Sequence, residues 1–177
     1  EGAREHSICW AIKKSENCEK LYCIPGNAGI SKIATCHFID LKNKRKLLNF
    51  CLEKNISLVI IGPEKFLEEG LSDYLASKKI NVFGPNKKAA KLETSKIFAK
   101  KFLKNNNIKT AKFKEFRSLQ MAKKFLLSVS YPIVLKADGL ASGKGVIICN
   151  SEREAKNGLT LLMKKKKIRR CRKASNN

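Results

Sequence analysis

The sequence predicts an α/β fold in which an open parallel sheet is followed by the first part of a second domain. In the first part, short apolar runs alternate with helical runs, the order typical of parallel strands joined by crossover helices. After Pro85, helical runs with polar caps and two strands around a glycine-rich loop replace that alternation. We therefore expect a domain boundary near Leu92.

The first part is predicted to be a sheet flanked by helices. The run Leu58-Val59-Ile60-Ile61 is continuously apolar, which is typical of a strand covered on both faces. The predicted helices cover residues 4–14, 41–55 and 67–78, and the predicted strands cover 21–24, 58–61 and 80–83.

In the second part, a side chain that can cap a helix precedes every helical run. Ser151 is also followed by Glu154 at the position that completes a capping box. The predicted helices run from Asn86 to 92, from Thr94 or Ser95 to 103, from Ser118 to 128 and onward from Ser151, and the predicted strands cover 112–116, 133–136 and 146–149.

The net charge of +23 over 177 residues would ordinarily indicate a nucleic-acid partner. Eight of the positive charges lie in the last fourteen residues, and the other bases are scattered rather than interleaved with aromatic side chains. Lysine dominates over arginine, which AT-rich codons explain better than selection for phosphate contacts. Nucleic-acid binding is therefore the disfavoured class of function.

The cysteines and the hydropathy of the sequence indicate the cellular compartment in which the protein is expected. The seven cysteines are odd in number and contain no pair separated by two residues, so they predict free thiols in a reducing compartment and no metal site. No apolar run approaches the roughly 18 residues of a membrane-spanning helix, and no secretory signal precedes the first helix. We expect a cytoplasmic protein with no membrane partner, and we assign no metal ligand.

The most informative segment is the glycine-rich loop between the two strands of the second part, Lys136-Ala137-Asp138-Gly139-Leu140-Ala141-Ser142-Gly143-Lys144-Gly145-Val146. Small residues let backbone N–H groups approach phosphate oxygens, and Lys144 adds a positive charge. The spacing differs from that of a P-loop, and a strand follows instead of a helix. We interpret the loop as a flap over a nucleotide, with Lys136 facing the same phosphates. The alternative is a glycine-rich hairpin without a ligand.

Three further loops are expected at one edge of the first sheet. Residues 2–4 precede the first helix, and residues 25–29 and 62–64 each follow a strand. Open α/β sheets bind ligands at the carboxyl ends of their strands, so the loops together predict a small phosphorylated ligand. Glu64 could contact a hydroxyl or an amine, whereas His6 is expected to pack or cap. For each loop taken alone, an ordinary turn is the alternative.

In these segments the chain resembles the glycinamide ribonucleotide synthetases, also called phosphoribosylamine–glycine ligases, of the ATP-grasp superfamily. The resemblance extends over residues 2–163 and rests on the joint order and spacing of six short segments. They are Gly-Ala-Arg-Glu-His (2–6), Pro-Gly-Asn-Ala-Gly (25–29), Ile-Gly-Pro-Glu (61–64), Phe-Gly-Pro (83–85), Leu-Glu-Thr-Ser-Lys (92–96) and the glycine-rich loop (136–146).

The resemblance implies a Rossmann-like N-terminal domain over 1–92, whose first strand would precede Gly2 and is missing, and an incomplete first ATP-grasp subdomain over 93–163. It also implies that ATP, glycine and 5-phosphoribosylamine give glycinamide ribonucleotide by way of glycyl phosphate, with Mg²⁺ ligands in a part of the family that lies beyond this chain. By the same resemblance, the residues that contact ATP would be Lys96, Lys136, Ser142, Gly143, Lys144 and Gly145, with Lys144 catalytic. Those lining the phosphoribosylamine pocket would be Gly2, Gly26, Asn27, Gly29 and Glu64.

The sequence departs from the family at several points. Ala3 replaces a glycine, and Phe66 replaces a proline. The second half of the ATP-grasp domain has no counterpart, so we expect this chain to be an inactive fragment of the ligase. Two alternatives remain: another purine-pathway ATP-grasp ligase, and a basic nucleic-acid-binding protein.

The basic segment 164–177 is predicted to be a reading-frame artefact, to have no counterpart in the family, and to be disordered or poorly packed. It begins with four lysines, and runs of A in a gene are where insertions and deletions concentrate. Permissible codons from Ile168 onward, read one nucleotide later, spell Phe-Gly-Asp-Ala-Gly-Lys-Gln-Val-Ile, and the family is expected to carry a similar segment here. Resequencing the gene tests this: an unambiguous A-run whose codons do not yield that segment in the shifted frame would refute it.

Overall fold

The computed structural model describes the backbone of residues 2–141 and 144–174, and side chains as far as Met163. The chain forms two compact units, residues 1–90 (unit 1) and 91–177 (unit 2). In unit 1 the elements are α1 (Ala3–Lys13), β1 (Tyr22–Cys23), a 3₁₀ turn (Ile30–Lys32), β2 (Thr35–Cys36), α2 (Lys44–Glu53), β3 (Val59–Ile60), α3 (Glu64–Glu68), α4 (Leu71–Ser77) and β4 (Val82–Phe83). Helix α5 (Lys87–Thr94) contains the boundary between the units.

The strands of unit 1 are parallel, as predicted, and are grouped in two pairs. Strand β1 pairs with β2, and β3 pairs with β4. Among the described residues no strand joins the two pairs into one sheet. The strand predicted over 58–61 was expected to be covered on both faces, and this is wrong for Leu58, which precedes β3 and is 50% exposed. Strand β2 was not predicted, because Thr35 and Cys36 carry no strong strand pattern.

The core of unit 1 lies among α2, α3, α4 and the β3–β4 pair. Its most buried members are Leu75, with no exposed surface, Cys51 and Leu71. The prediction of a single helix over 67–78 is wrong, because the helix is interrupted at Gly70. That residue has φ +73°, a left-handed conformation that glycine adopts without strain, and it forms the N-cap of α4.

Unit 2 contains α6 (Lys96–Asn105), α7 (Leu119–Phe125) with a 3₁₀ turn (Leu126–Ser128), β5 (Ile133–Lys136), β6 (Val146–Cys149) and α8 (Glu152–Ala174). Ser95 and Ser118 cap α6 and α7 through their hydroxyl oxygens, as predicted. Ser151 caps α8, and Glu154 accepts a hydrogen bond from the backbone of Asn150.

The strand predicted over 112–116 does not form. Phe116 packs against Phe125 of α7, with ring centroids 5.1 Å apart, and Lys101 of α6 binds Glu115 at 2.7 Å. These side-chain contacts hold the segment as irregular backbone next to the helices. Alternation of lysine and phenylalanine alone could not reveal them.

Strands β5 and β6 form an antiparallel hairpin with two different faces. One face packs with α7 and α8 around Cys149, Ala155 and Leu126, all buried. Gly158 of α8 allows the close approach, because a Cβ atom there would lie 3.0 Å from Leu135. The backbone of α8 is helical to Ala174, whereas the side chains beyond 163, and with them the predicted disorder or poor packing of 164–177, lie outside the described part of the chain.

Leu75→Ala should destabilise the chain by about 2–5 kcal/mol, because it removes a fully buried side chain from the core of unit 1. Leu52→Ala, at a side chain that is 57% exposed, is the matched control and should change stability far less. Chemical denaturation followed by fluorescence of Trp10, the single tryptophan, measures both. Equal effects of the two substitutions would show that the cluster is not the core.

Candidate functional site

In unit 1, two loops meet at the N-terminus of α1. A Cβ atom on Gly29, in the loop after β1, would lie 2.8 Å from Cε1 of His6. A Cβ atom on Gly62, in the loop after β3, would lie 3.0 Å from Oε1 of Glu5. Any side chain at either glycine would therefore push the loop away from the helix. The predicted convergence of residues 2–4, 25–29 and 62–64 is confirmed, and His6 packs as expected.

The loop after β1 is shaped by Gly26 and Asn27. Gly26 has φ +82°, and a Cβ atom there would lie 2.2 Å from Sγ of Cys36, so both conformation and space require glycine. Oδ1 of Asn27 accepts a hydrogen bond from the Ile30 N–H at 2.9 Å and starts the 3₁₀ turn. Asn27 thus holds its own loop in place.

Glu64 lies at the start of α3 and forms a two-point ion pair with Arg4 of α1. Nη1 and Nη2 of Arg4 lie 2.6 and 3.1 Å from the two carboxylate oxygens of Glu64. The pKa of Glu64 is lowered by the hydrogen bond from Arg4 and by a hydrogen bond from its own backbone N–H. The same contact raises the pKa of Arg4. Glu64 is therefore an ionised carboxylate with a fixed orientation.

The N-terminus of α1 already has one anionic partner. The Gly2 N–H donates to Oε2 of Glu5 at 2.7 Å. A phosphate at this helix start, as predicted from residues 2–4, would share the space with the carboxylate of Glu5.

In unit 2, the glycine-rich loop connects β5 to β6, as predicted. Lys136 is paired with Val146 at the end of the ladder, and the Ala137 N–H donates to Gly145 O at 2.7 Å. Gly145 must be glycine, because a Cβ atom there would lie 2.5 Å from the Cβ of Ala141. Lys136 and Lys144 are both exposed, and Ser142 and Gly143 lie outside the described residues.

The first half of the loop is bound to the start of α6. Oδ1 of Asp138 accepts hydrogen bonds from the Ser95 hydroxyl at 3.0 Å and from the Ile97 N–H at 3.1 Å. Nζ of Lys96 donates to Gly139 O at 3.1 Å. Lys96 is therefore brought to the loop that carries Lys144.

The second face of the hairpin is apolar and exposed. Val134, Val146 and Ile148 are 50%, 47% and 67% exposed, and Val134 lies directly opposite Ile148. Lys136 shares this face, because side chains on a strand alternate. The hairpin thus presents an apolar strip that ends in a lysine.

Two residues of these sites were not assigned from the sequence. Arg4 lies sixty positions from Glu64, and no local pattern links them. Asp138 stood inside the glycine-rich segment, but its partners Ser95 and Ile97 were predicted only as the beginning of a helix. The one available signal was an acid within a loop that should otherwise attract anions.

A separate open cleft of about 590 Å³ lies beside the starts of β1 and β2. Its lining includes Lys13, Lys20, Lys32 and Tyr22. The cleft is at the opposite strand ends from the loop 25–29, so it is not the predicted ligand site.

The part of the chain that the structure describes contains neither a candidate membrane-spanning helix nor a metal-binding cluster. None of the helices there combines the length and the apolar character needed to cross a bilayer. No cluster of three or more histidine, cysteine, aspartate or glutamate side chains there is placed to hold a metal ion.

Relatives of known name match most of the chain. A phosphoribosylamine–glycine ligase of Caldanaerobacter subterraneus is 47% identical over 165 residues, which cover 93% of this chain and 40% of the relative. A crystal structure of the ligase of that name from Thermotoga maritima has a TM-score of 0.67 and 34% identity over 88% of this chain and 36% of its own. The chain thus spans about 40% of the length of the relatives it matches.

The fold has a wider distribution. The biotin carboxylase domain of the Hydrogenobacter thermophilus 2-oxoglutarate carboxylase, solved with MgADP, has a TM-score of 0.68 at 21% identity over 84% of this chain and 36% of its own. At this identity the similarity concerns the fold alone.

Two family models cover the chain in succession. The phosphoribosylglycinamide synthetase N domain matches residues 1–93, and the ATP-grasp (A) domain of the same synthetase matches residues 94–174. The second match includes residues 164–174, so the expectation that the basic segment has no counterpart in the family is wrong over that range. The chain belongs to the phosphoribosylglycinamide synthetase family.

Proposed function

We propose that this chain supplies the N-terminal part of a phosphoribosylamine–glycine ligase, with a phosphoribosylamine pocket in unit 1 and part of an ATP site in unit 2. The observation that carries this is the 47% identity to a ligase of that name over 93% of the chain. The convergence of loops in unit 1 and the link between Lys96 and the glycine-rich loop in unit 2 support it.

The proposed reaction has two steps. A carboxylate oxygen of glycine attacks the γ-phosphorus of ATP, which gives glycyl phosphate and releases ADP. The amine of 5-phosphoribosylamine then attacks the glycyl carbonyl carbon, phosphate leaves, and the amine loses a proton to form the amide of glycinamide ribonucleotide.

In unit 2, Lys96, Lys136 and Lys144 would bind the phosphates of ATP together with Ser142, Gly143 and Gly145. Lys144 is assigned the catalytic role, because charge that develops on the transferring phosphoryl group needs a fixed positive partner. The exposed strip of Val134, Val146 and Ile148 would contact the base, since apolar surface is favourable against a flat aromatic ring. Lys136, at the end of that strip, would then lie toward the phosphates.

In unit 1, the loop residues Gly2, Gly26, Asn27 and Gly29 would surround the phosphoribosyl group. Glu64 would accept a hydrogen bond from a ribose hydroxyl or from the amine, and its pair with Arg4 orients the carboxylate for this. Because that pairing lowers the pKa of Glu64, the carboxylate acts as an acceptor and not as an acid.

Mg²⁺ is used with ATP throughout this type of chemistry, where it screens phosphate charge. Among the described residues no group of three or more histidine, cysteine, aspartate or glutamate side chains is placed to hold it, and we assign no step to it in this chain. The remaining alternatives are another ATP-grasp ligase and a nucleic-acid-binding protein. The loops of unit 1 favour the glycine ligase over the first, and the scattered lysines disfavour the second.

The chain alone should bind MgATP weakly and should form no glycinamide ribonucleotide, because it spans about 40% of the length of its relatives. Calorimetric titration with MgATP and a product assay with glycine and 5-phosphoribosylamine measure both. Product formation by the chain alone would refute the prediction. Steeply salt-dependent binding to DNA would favour the nucleic-acid alternative instead.

Lys144→Ala should reduce ligase turnover by about 10²–10³-fold in a version extended with the C-terminal part of the Thermotoga maritima relative, because one fixed charge at the transferring phosphoryl group is lost. Lys109→Ala, at an exposed lysine outside the loop, is the matched control. If both variants are folded and turn over at the same rate, the loop has only a structural role.

Glu64→Gln should destabilise unit 1 by at most about 1 kcal/mol at neutral pH, because its ion pair with Arg4 is partly exposed, and the difference from the unchanged chain should shrink in acid. The pKa of Glu64 is lowered by folding, so its contribution is complete above the unfolded value of about 4.3 and is lost as the pH falls through the folded pKa. Denaturation followed by Trp10 fluorescence at several pH values measures this. Glu68→Gln, an exposed acid on α3, should show no such trend, and a flat difference for Glu64→Gln would contradict the role of the ion pair.

A further inference from the structure

We propose that Asp138 is a positioning residue: its carboxylate fixes residues 137–139 of the glycine-rich loop against the start of α6, next to Lys96, in the geometry that a nucleotide would meet. The proposal rests on the proposed function, because it assumes that a nucleotide binds at this loop.

Asp138 joins two segments that are far apart in sequence. A single oxygen, Oδ1, accepts from the Ser95 hydroxyl and from the Ile97 N–H, positions 43 and 41 residues away. The Ser95 oxygen in turn accepts from the Phe98 N–H at 3.1 Å. The carboxylate therefore continues the capping of α6, a ten-residue helix, instead of lying free in the loop.

The neighbouring residue adds a second link in the opposite direction. Gly139 O accepts from Nζ of Lys96, and Gly139 has φ +93°, which permits the turn that aims its carbonyl at α6. Two consecutive loop residues thus each hold a partner between positions 95 and 97. Two backbone hydrogen bonds within the loop, from Ala137 to Gly145 and from Lys144 to Ala141, close the hairpin.

The link has two consequences for binding. The amide end of α6, where an anion would otherwise be stabilised, is occupied by a protein carboxylate. Lys96 rests against a neutral carbonyl, which it can leave for a phosphate oxygen, because a charged acceptor is the stronger partner. The start of α6 is thus an anchor for the loop, and phosphate recognition is left to the lysines.

The direction in which the affinity for MgATP changes when Asp138 is substituted distinguishes a positioning role from a purely electrostatic one. Asp138 carries a negative charge near the proposed site of a polyphosphate. If charge were its only effect, removing it would tighten MgATP binding. If it positions the loop, Asp138→Ala should weaken binding by about tenfold, the size expected for losing a charged hydrogen-bond acceptor. Asp138→Asn should largely restore affinity, because its side-chain oxygen can accept both hydrogen bonds.

The experiment uses the full chain with MgATP as the probe, titrated to millimolar concentration and followed by backbone amide NMR. Hydrogen exchange without nucleotide tests the link itself: exchange at the Ile97 amide should speed up in Asp138→Ala and much less in Asp138→Asn. Exchange in the β5–β6 ladder should be unchanged and reports that the unit is folded. Glu152→Ala removes a negative charge from α8, where its side chain pairs with Lys156, and is the control for charge alone.

Weaker binding in Asp138→Ala, recovery in Asp138→Asn and no weakening in Glu152→Ala would support the proposal. Unchanged or tighter binding in Asp138→Ala, or unchanged exchange at Ile97, would overturn it. If the unchanged chain shows no amide shifts with MgATP while the exchange result holds, the ATP assignment fails and the positioning role falls with it. The link would then be structural.

Discussion

The apolar cluster among α2, α3 and α4 is the interaction on which unit 1 depends. The strands of unit 1 are two residues long, and strand pairs of that length contribute few hydrogen bonds. Burial of Leu75 and Leu71 against the β3–β4 pair supplies the stability that the ladders lack. This burial also fixes the position of the end of β3, and therefore the positions of Gly62 and Glu64, which follow it.

The geometry of the candidate site in unit 1 depends on the close approach of two loops to α1 and on one ion pair. Glycines at 29 and 62 let two loops touch α1, and the Arg4–Glu64 pair then joins the beginnings of α1 and α3. The ion pair is largely exposed, so it contributes little stability and more to orientation. Unit 2 follows a similar division: apolar packing secures one face of the hairpin, and polar contacts of Asp138 and Gly139 bind the first half of the glycine-rich loop to α6.

The sequence allowed the parallel strands, the caps at Ser95 and Ser118 and the loop between β5 and β6 to be predicted, because each depends on neighbouring residues. Prediction from the sequence failed where contacts between residues far apart in the chain determine the local structure. Residues 112–116 alternate like a strand but are held by Phe125 and Lys101, and the break at Gly70 depends on packing at both of its sides. The partners of Glu64 and Asp138 lie about 40 to 60 residues away, so their orientation could not be read from a motif. The roles of Lys136 and Lys144 toward ATP remain predictions.

The most direct measurement is a crystal structure of the chain with a non-hydrolysable ATP analogue at millimolar concentration. We expect the phosphates to lie within hydrogen-bonding distance of Lys96, Lys136 and Lys144, and the base to lie on Val134 and Ile148. Nucleotide in the cleft beside Lys20 and Lys32, or phosphates bound away from the glycine-rich loop, would contradict this expectation.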